Sequence, residues 1–213
     1  MNDKEIIARR VALELKDGDR VNLGIGPPTL VAKYLPRSLQ VHFHSENGIF
    51  GMSPLPGEGF EDRNLTDAGG RPVGAMPGAC AFDSAFSFGV IRGGHLDVTV
   101  LGGLEVDELG QLANWTVPGK MIPGMGGAMD LVTGARLVIV AMTHCSPTGP
   151  KIVRRCTLPI TSVRRDLVVT ELAVIRPTPA GLVLIEVAAG ATVSQVVAAT
   201  DANLLIDQSL QSR

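Results

Sequence analysis

One carboxylate, Glu46, stands in the run Ser45-Glu46-Asn47-Gly48, directly after the apolar stretch that contains Phe43. This position presents the carboxylate at the junction between a strand and a turn, where it could attack an acyl group as a nucleophile. A carboxylate is a weak nucleophile, so such a reaction requires close positioning and stabilisation of the oxyanion that forms. The commoner interpretation of a glutamate beside Asn-Gly is an exposed turn residue. The local sequence leaves both interpretations open.

Two glycine-rich segments could bring backbone N–H groups to a ligand. Residues 124–127 (Gly-Met-Gly-Gly) precede a helix-compatible stretch, and a glycine turn that opens a helix leaves N–H groups available to a negative oxygen. Such a group could serve as an oxyanion donor, although an ordinary loop with positive φ is the alternative. The Gly24-Ile25-Gly26 segment lacks the third glycine of a dinucleotide fingerprint and the Gly-Lys-Ser/Thr ending of a phosphate loop. Nucleotide binding is therefore not expected.

The histidines and cysteines give weaker signals. His42 and His44 are two residues apart and are predicted to share one face of a strand, but a metal site needs a third ligand that the sequence does not identify. We expect structural or substrate-lining roles for them and no metal site. The three cysteines have no CxxC spacing, which favours neither a disulfide framework nor a zinc site and suits a reducing cytoplasm. Cys145 follows His144 without an evident orienting acid, so a buried cysteine is expected there rather than a thiol nucleophile.

Composition limits the possible functions. The chain has 213 residues, of which 45% are hydrophobic, enough for one substantial domain that we place at residues 1–213. The formal net charge of −2 supplies no basic field of the kind that nucleic-acid binding requires. No stretch approaches the roughly 20 apolar residues that a membrane span needs, and the N-terminus mixes charges of both signs. A cytoplasmic protein without nucleic-acid or membrane partners is expected.

Short apolar runs alternate with helix-compatible segments along the chain, which predicts an α/β fold with a mainly parallel sheet flanked by helices. A first helix of about three turns is predicted after Asp3 as N-cap, ending near Asp17-Gly18. A second helix is predicted at residues 29–34, and Thr192 with Gln195 forms a capping box for a late helix. The predicted strands are residues 21–23, 41–43, 98–101, 137–142, 168–175 and 182–187.

In parallel sheets, ligands bind at the carboxyl ends of the strands. This rule directs attention to the loops after Leu23, Phe43 and Leu101 and to residues 124–127. Glu46 lies in one of these loops. The rule therefore makes Glu46 and residues 124–127 candidates for ligand binding.

Several motifs together resemble those of the class I CoA-transferases, and specifically the B subunit or C-terminal half of the 3-oxoacid enzymes of the succinyl-CoA:acetoacetate or 3-oxoadipate type. The resemblance covers nearly the whole chain, with matching order and spacing. Its motifs are Asn22-Leu23-Gly24-Ile25-Gly26, Ser45-Glu46-Asn47-Gly48, Pro77-Gly78-Ala79, Ile91-Arg92-Gly93-Gly94-His95-Leu96-Asp97, Leu112-Ala113-Asn114-Trp115, Pro118-Gly119-Lys120-Met121, Gly124-Met125-Gly126-Gly127-Ala128-Met129-Asp130 and Cys156-Thr157-Leu158-Pro159. It implies the CoA-transferase (isomerase/CoA-transferase-like) fold.

The resemblance also assigns roles to residues. It implies that Glu46 is the acyl-accepting carboxylate and that Gly127 offers a backbone N–H to the oxyanion. The substrate-binding positions that it implies are Asn22, Gly24, Gly26, Asn47, Gly48 and Gly126. The second oxyanion donor of the family is a glutamine of the A-type half. A CoA-transferase partner chain of the A type, in a heterodimer or heterotetramer, is therefore implied.

The implied reaction moves CoA between an acyl-CoA, such as succinyl-CoA or acetyl-CoA, and a 3-oxo acid, such as acetoacetate or 3-oxoadipate, in ketone-body or aromatic-acid catabolism. It passes through a glutamyl-CoA thioester and uses no cofactor apart from the CoA thioester that is its substrate. Two alternatives stay open: an acyl-CoA hydrolase or repurposed acyl-transfer enzyme on the same scaffold, and a non-catalytic assembly subunit. Two departures concern specificity, since His44 stands where many relatives carry Gln and Gly70 where some carry Lys.

Overall fold

The structure is a computed structural model that describes residues 1–54, 57–59, 61–117, 119, 124–163 and 166–211. Pro118, Lys120 and Met121 of the Pro-Gly-Lys-Met motif lie outside the described residues. The strands are β1 Arg20–Leu23, β2 His42–Ser45, β3 Ile49–Ser53, β4 Gly74–Ala81, β5 Val98–Leu101, β6 Glu105–Asp107, β7 Leu112–Ala113, β8 Leu137–Ala141, β9 Cys145–Ser146, β10 Gly149–Pro150, β11 Ile152–Val153, β12 Leu167–Val169, β13 Ala173–Thr178, β14 Gly181–Val187 and β15 Leu204–Ile206. The helices are α1 Asp3–Ala12, α2 Ser84–Arg92, α3 Ala128–Gly134, α4 Val193–Ala198, α5 Gln208–Gln211 and the 3-10 helix Pro27–Tyr34.

A ten-stranded sheet with the order β15-β14-β13-β12-β8-β5-β1-β2-β3-β4 forms the centre of the molecule. The run from β12 through β8, β5 and β1 to β2 is parallel throughout. Beyond it, β3 and β4 continue antiparallel from β2, and β13 and β14 continue antiparallel from β12. The predicted α/β fold with a mainly parallel sheet is confirmed. Because the central strands run in one direction, their carboxyl ends lie along one edge of the sheet.

Strand β8 shows how the sheet is buried on both faces. Val138 and Val140 belong to the core cluster that contains Ile91 of α2, whereas Ile139 and Ala141 belong to the cluster beneath α1. These four of the five β8 side chains are fully buried, and they alternate between the faces because successive strand residues point in opposite directions. Burial of each large aliphatic side chain contributes about 1.5–3 kcal/mol. The loops at the edge of the sheet thus extend from strands that are buried on both faces.

Helix α1 corrects one predicted cap. The N-cap is Asn2 and not Asp3, because the Asn2 Oδ1 accepts from the Glu5 backbone N–H at 3.0 Å while the Glu5 carboxylate accepts from the Asn2 N–H at 3.1 Å. This reciprocal pair is a capping box, which requires a Glu or Gln three residues after the cap. The predicted capping box of Thr192 and Gln195 at α4 is confirmed. None of the described helices is long and apolar enough to traverse a bilayer.

The apolar run 168–175, predicted as one strand, is wrong in its length. It divides into β12 and β13, which pair antiparallel around a turn at Thr170. The Thr170 Oγ1 accepts from the backbone N–H groups of Leu172 and Ala173 at 3.2 and 3.0 Å. A threonine side chain here forms the turn without the glycine or proline that usually marks one.

Candidate active site

Two neighbouring parallel strands, β1 and β2, place Glu46 at the carboxyl edge of the sheet. Asn22 of β1 pairs in register with His44 of β2, and Glu46 follows β2 in the turn to β3. The turn closes with the Gly48 N–H donating to the Ser45 carbonyl at 3.0 Å. Gly48 has a φ of 122°, and a Cβ at this position would collide with a backbone carbonyl oxygen. Only glycine fits, so the Ser-Glu-Asn-Gly sequence fixes the shape of the turn.

A buried amide holds the Glu46 side chain. The Asn22 Nδ2 donates to the Glu46 Oε2 at 3.0 Å and to the His44 carbonyl oxygen at 3.3 Å, and Asn22 is fully buried. The opposite orientation of the amide would place its oxygen against the carboxylate, so the NH₂ group is the end of the amide that faces Glu46. Within the described part of the chain, Oε1 of Glu46 accepts no hydrogen bond. One carboxylate oxygen is therefore anchored and the other is open to a reactant.

Gly127 lies directly against the Glu46 side chain, although more than seventy residues separate them in sequence. A Cβ built on Gly127 would be 3.3 Å from the Glu46 Cγ and 3.2 Å from the Phe88 ring Cζ. The φ of Gly127 is −81°, which any residue adopts, so the lack of space and not the backbone conformation favours glycine here. Among the described residues, no acceptor pairs with the Gly127 N–H. The predicted turn before a helix is confirmed, since α3 begins at Ala128.

A second loop is hydrogen-bonded to the turn formed by residues 45–48. The Ala68 N–H donates to the Ser45 Oγ at 2.9 Å, and the Asn47 Nδ2 donates to the Thr66 carbonyl oxygen at 2.7 Å. Ser45 and Asn47, which flank Glu46, thus bind the chain at residues 66–68 and leave the Glu46 side chain between them facing the groove.

A groove of about 650 Å³ opens beside Glu46. Most of its wall is apolar; the apolar side chains are Leu23, Ile25, Ala32, Leu35, Leu39, Val41, Phe43, Pro54, Ala68, Val73, Met52 and Met76. Among the described residues, three charged side chains besides Glu46 line it, namely Lys33, Asp67 and Arg71. Arg71 is neutralised by Asp67, with Nη2 and Oδ2 separated by 2.6 Å. The groove therefore offers a carboxylate, an apolar wall and a cationic side chain, Lys33, in one depression.

His44 has a structural connection that its sequence context does not reveal. Its ring is fully buried, its Nε2 lies 2.9 Å from the Ser87 Oγ of α2, and its Nδ1 lies 3.5 Å from the Asn22 Nδ2. Burial lowers the pKa of His44 to about 4, so the ring is neutral at neutral pH. The His-x-His spacing places both histidines on β2 but does not reveal the contact of His44 with Ser87. His42 differs from His44, because it is only half-buried and stacks on Phe50 at 5.9 Å between ring centroids.

The remaining predicted positions surround this centre. Gly24 lines the groove and packs against β5, where its N–H donates to the Val100 carbonyl oxygen at 2.8 Å. Gly26 and Gly126 have φ values of 92° and 57°, which glycine adopts more readily than other residues. The substrate-binding roles of Gly24, Gly26, Asn47, Gly48 and Gly126 stay predictions. The expectation of a buried Cys145 is wrong, because this thiol is exposed after β8.

Comparison with known proteins places the chain in a family. Its sequence matches the family described as Coenzyme A transferase over residues 4–199. The chain belongs to the coenzyme A transferase family. The predicted family is thereby confirmed.

Relatives of this coenzyme A transferase chain differ in length. It is 53% identical to the acetate CoA-transferase subunit beta of Escherichia coli (strain K12), over 100% of this chain and 98% of that protein. It is 44% identical to the mitochondrial succinyl-CoA:3-ketoacid coenzyme A transferase 2B of Mus musculus, over 96% of this chain but only 40% of that protein. The crystal structure of an acyl-CoA transferase from Escherichia coli O157:H7 superposes with a TM-score of 0.79 at 22% identity, and covers 98% of this chain and 42% of that one. The chain thus spans less than half the length of these two longer proteins, and the structural likeness concerns the fold.

Proposed function

We propose that this chain is the catalytic beta subunit of a CoA-transferase and that Glu46 carries CoA as a thioester. One arrangement supports the proposal most strongly: a buried amide anchors one oxygen of Glu46 at 3.0 Å, and the Gly127 backbone lies against the same side chain. An exposed turn glutamate needs neither a buried amide partner nor a neighbouring position too crowded for a side chain. Both features suit a carboxylate whose position matters.

The proposed reaction has two half-steps that mirror each other. A Glu46 oxygen attacks the thioester carbonyl carbon, the C–S bond breaks and CoA leaves as thiolate, which gives a mixed anhydride. The thiolate then attacks the Glu46 carbonyl carbon, and the donor acid leaves as carboxylate while the glutamyl-CoA thioester forms. The acceptor carboxylate reverses both steps. Free donor acid leaves before the acceptor binds, so the kinetics are ping-pong.

Each tetrahedral intermediate places a negative charge on an oxygen beside Glu46. The Gly127 N–H is the donor that this chain would supply, and one such donor is worth about a hundredfold to a thousandfold in rate. The second donor would come from an A-type partner chain. The acetate CoA-transferase subunit beta that is 53% identical to this chain supports this division, because a beta subunit is named as one of at least two subunits.

The size and lining of the groove fit a CoA thioester with a short acyl group. A volume of about 650 Å³ far exceeds what an acetyl group fills, so space remains for the uncharged arm of CoA along the apolar wall. Apolar walls also exclude water, which protects the anhydride from hydrolysis. We propose as acceptors short carboxylates that include 3-oxo acids, such as acetoacetate or 3-oxoadipate, and acetate, with succinyl-CoA or acetyl-CoA as donor. No metal or further cofactor takes part.

The direct test is to trap the thioester. The chain is co-purified with its A-type partner chain, incubated with acetyl-CoA or succinyl-CoA, digested and analysed by mass spectrometry. A CoA adduct is expected on the peptide that contains Glu46 and is expected to be absent from Glu46→Gln, whose fold should be unchanged. An adduct on another residue, or none during active turnover, would contradict the proposal.

An acceptor screen distinguishes the other activities. The complex is supplied with labelled acyl-CoA and with acetate, acetoacetate, 3-oxoadipate or no acceptor. A new thioester is expected with at least one acid, and little free CoA without any. Release of free CoA without a new thioester would identify a hydrolase, and full activity of the Glu46→Gln complex would identify a non-catalytic assembly role.

A further inference from the structure

His44, which precedes the turn at residues 45–48, belongs to a series of polar side-chain contacts that connects helix α2 to Glu46. The series runs from Ser87 through His44 and Asn22 to Glu46, with separations of 2.9, 3.5 and 3.0 Å. Ser87, His44 and Asn22 are all fully buried. Phe82 stacks on the imidazole at 6.3 Å between ring centroids. A packed ring with a hydroxyl partner at one nitrogen has little freedom to rotate.

The protonation of the ring follows from its two neighbours. An NH₂ group only donates, so the His44 nitrogen that faces Asn22 must carry the lone pair. The single ring proton is then on Nε2 and is donated to the Ser87 Oγ. A charged imidazole would direct an N–H at the Asn22 NH₂ group and repel it. Burial opposes that charged form, because it lowers the pKa of His44 to about 4.

The amide of Asn22 has competing demands. Its NH₂ group serves the Glu46 carboxylate at 3.0 Å and the His44 carbonyl oxygen at 3.3 Å, with the ring nitrogen at 3.5 Å as a third, longer contact. Its Oδ1 is buried and has no hydrogen-bond partner in the described part of the chain. An unpaired buried oxygen favours rotation of the amide towards any donor. Groups that accept from the NH₂ group oppose this rotation, as does the packing around the fully buried side chain.

We propose that His44 is a positioning residue of the CoA-transfer site: neutral and anchored by Ser87, it holds the Asn22 amide so that the NH₂ group meets Oε2 of Glu46 and Oε1 remains the attacking atom. The inference rests on the proposed role of Glu46. It assigns no contact between His44 and substrate. His44 acts on the geometry of the nucleophile, and therefore on the chemical step more than on substrate binding.

The test uses the complex with the A-type partner chain and three substitutions. His44→Leu fills the space but removes both ring nitrogens, His44→Gln keeps one acceptor and one donor, and Ser87→Ala removes only the anchor. For His44→Leu we expect kcat to fall roughly tenfold to a hundredfold, with KM changed less than about threefold, because misplacement of a nucleophile by a fraction of an ångström to 1 Å has effects of this size. His44→Gln should recover most of this loss, and Ser87→Ala should show a smaller fall of about threefold to tenfold.

His144 provides the matched control for loss of a buried histidine. It is fully buried, its ring nitrogens lie 3.0 and 2.9 Å from the Thr170 and Thr200 hydroxyl oxygens, and it does not line the groove. His144→Leu should reduce stability by a similar amount and leave kcat per folded molecule unchanged. Equal loss of kcat in both leucine variants, or no recovery in His44→Gln, would overturn the inference. If His44→Leu does not fold, Ser87→Ala and His44→Gln decide: wild-type kcat for Ser87→Ala together with a large loss for His44→Gln contradicts the positioning role.

These results separate the inference from the proposed function. Thioester formation on Glu46 in the wild-type complex tests only the nucleophile. If that adduct forms and His44→Leu loads CoA at the wild-type rate, the positioning role of His44 fails while the proposed function stands.

Discussion

Two regions at the carboxyl edge of the sheet contain a buried histidine, and they differ in what the histidine holds. At the end of β2, His44 contacts Ser87 and the amide that anchors Glu46. Beyond the end of β8, His144 lies between the hydroxyl groups of Thr170 and Thr200. Both rings are fully buried, and burial lowers the pKa of each to about 4. The second histidine joins the β12–β13 turn to the end of α4, whereas the first ends on a partly exposed carboxylate.

The comparison shows that burial and a shifted pKa do not identify a functional residue. Structural hydrogen-bond networks produce the same shift as active sites do. The informative feature is the end of the network. The contacts of His144 end on the Thr170 and Thr200 hydroxyl groups and join parts of the fold, while those of His44 reach a carboxylate in a groove.

The lowered histidine pKa, which the two regions share, predicts the largest effect, a loss of stability at low pH. The pKa of each histidine falls from 6.5 in the unfolded chain to about 4 in the folded one. Between these pKa values the unfolded state binds more protons than the folded state. The contribution of each neutral histidine to the free energy of unfolding is therefore fully present above about pH 6.5, and it is lost as the pH falls towards 4. The loss is at most about 3 kcal/mol for each histidine.

Urea unfolding of the wild-type chain and of His44→Leu and His144→Leu, at several pH values between 7 and 4.5, measures this effect. Each leucine variant should remove about half of the histidine contribution to the change in the free energy of unfolding with pH. If one variant alone abolished this pH dependence, the two histidines would not titrate alike.

The partners of the two histidines should separate the regions. Asn22→Ala removes the donor that anchors Glu46, and we expect kcat to fall about a hundredfold, since loss of a positioned hydrogen bond allows the Glu46 carboxylate to move. Thr170→Val removes a partner of His144, and it should destabilise the fold by about 1–3 kcal/mol without changing kcat per folded molecule. Steady-state kinetics with parallel unfolding curves give both quantities. A comparable fall in kcat for Thr170→Val would show that the β8 region also controls the reaction.

A smaller effect is expected from crowding at Glu46. In Gly127→Ala the new methyl group would meet the Glu46 Cγ at 3.3 Å, so the carboxylate must shift by a few tenths of an ångström, and kcat should fall about tenfold. Gly89→Ala in α2 is the control, because a Cβ there meets nothing within 4 Å. That substitution should leave kcat unchanged and should stabilise the helix by roughly 0.5–1 kcal/mol. A wild-type kcat in Gly127→Ala would contradict the inference that lack of space favours glycine at this position.

Sequence patterns predict the parts of the fold that depend on local order. The apolar runs at β5 and β8 and the capping box of α4 are correctly placed, because burial on two faces and a Thr-x-x-Gln spacing leave clear local signals. The turn at Thr170 leaves no such signal, since a threonine hydroxyl replaces the expected glycine.

The site shows the same division. Glu46 is predictable as a residue that follows a strand, and its pairing with Asn22 follows once β1 and β2 are neighbours. The contact of His44 with Ser87 is not predictable from spacing, because it joins a strand to a helix 43 residues away. The closeness of Gly127 to Glu46 also depends on the packing of α3 against the sheet edge. Family resemblance, and not periodicity, identified Gly127 in advance.

The position of β1 within the sheet has a consequence for folding. Val21 pairs with Phe43 on one side and with Val98 on the other, so β1 lies between a strand close in sequence and one far away. At synthesis rates of about 5–20 residues per second, β1 and β2 are complete several seconds before β5. During that interval the side of β1 that later pairs with β5 has no partner strand, and long-range pairing of this kind slows folding. The strand that anchors Glu46 is therefore also a strand whose nascent edge needs protection from aggregation.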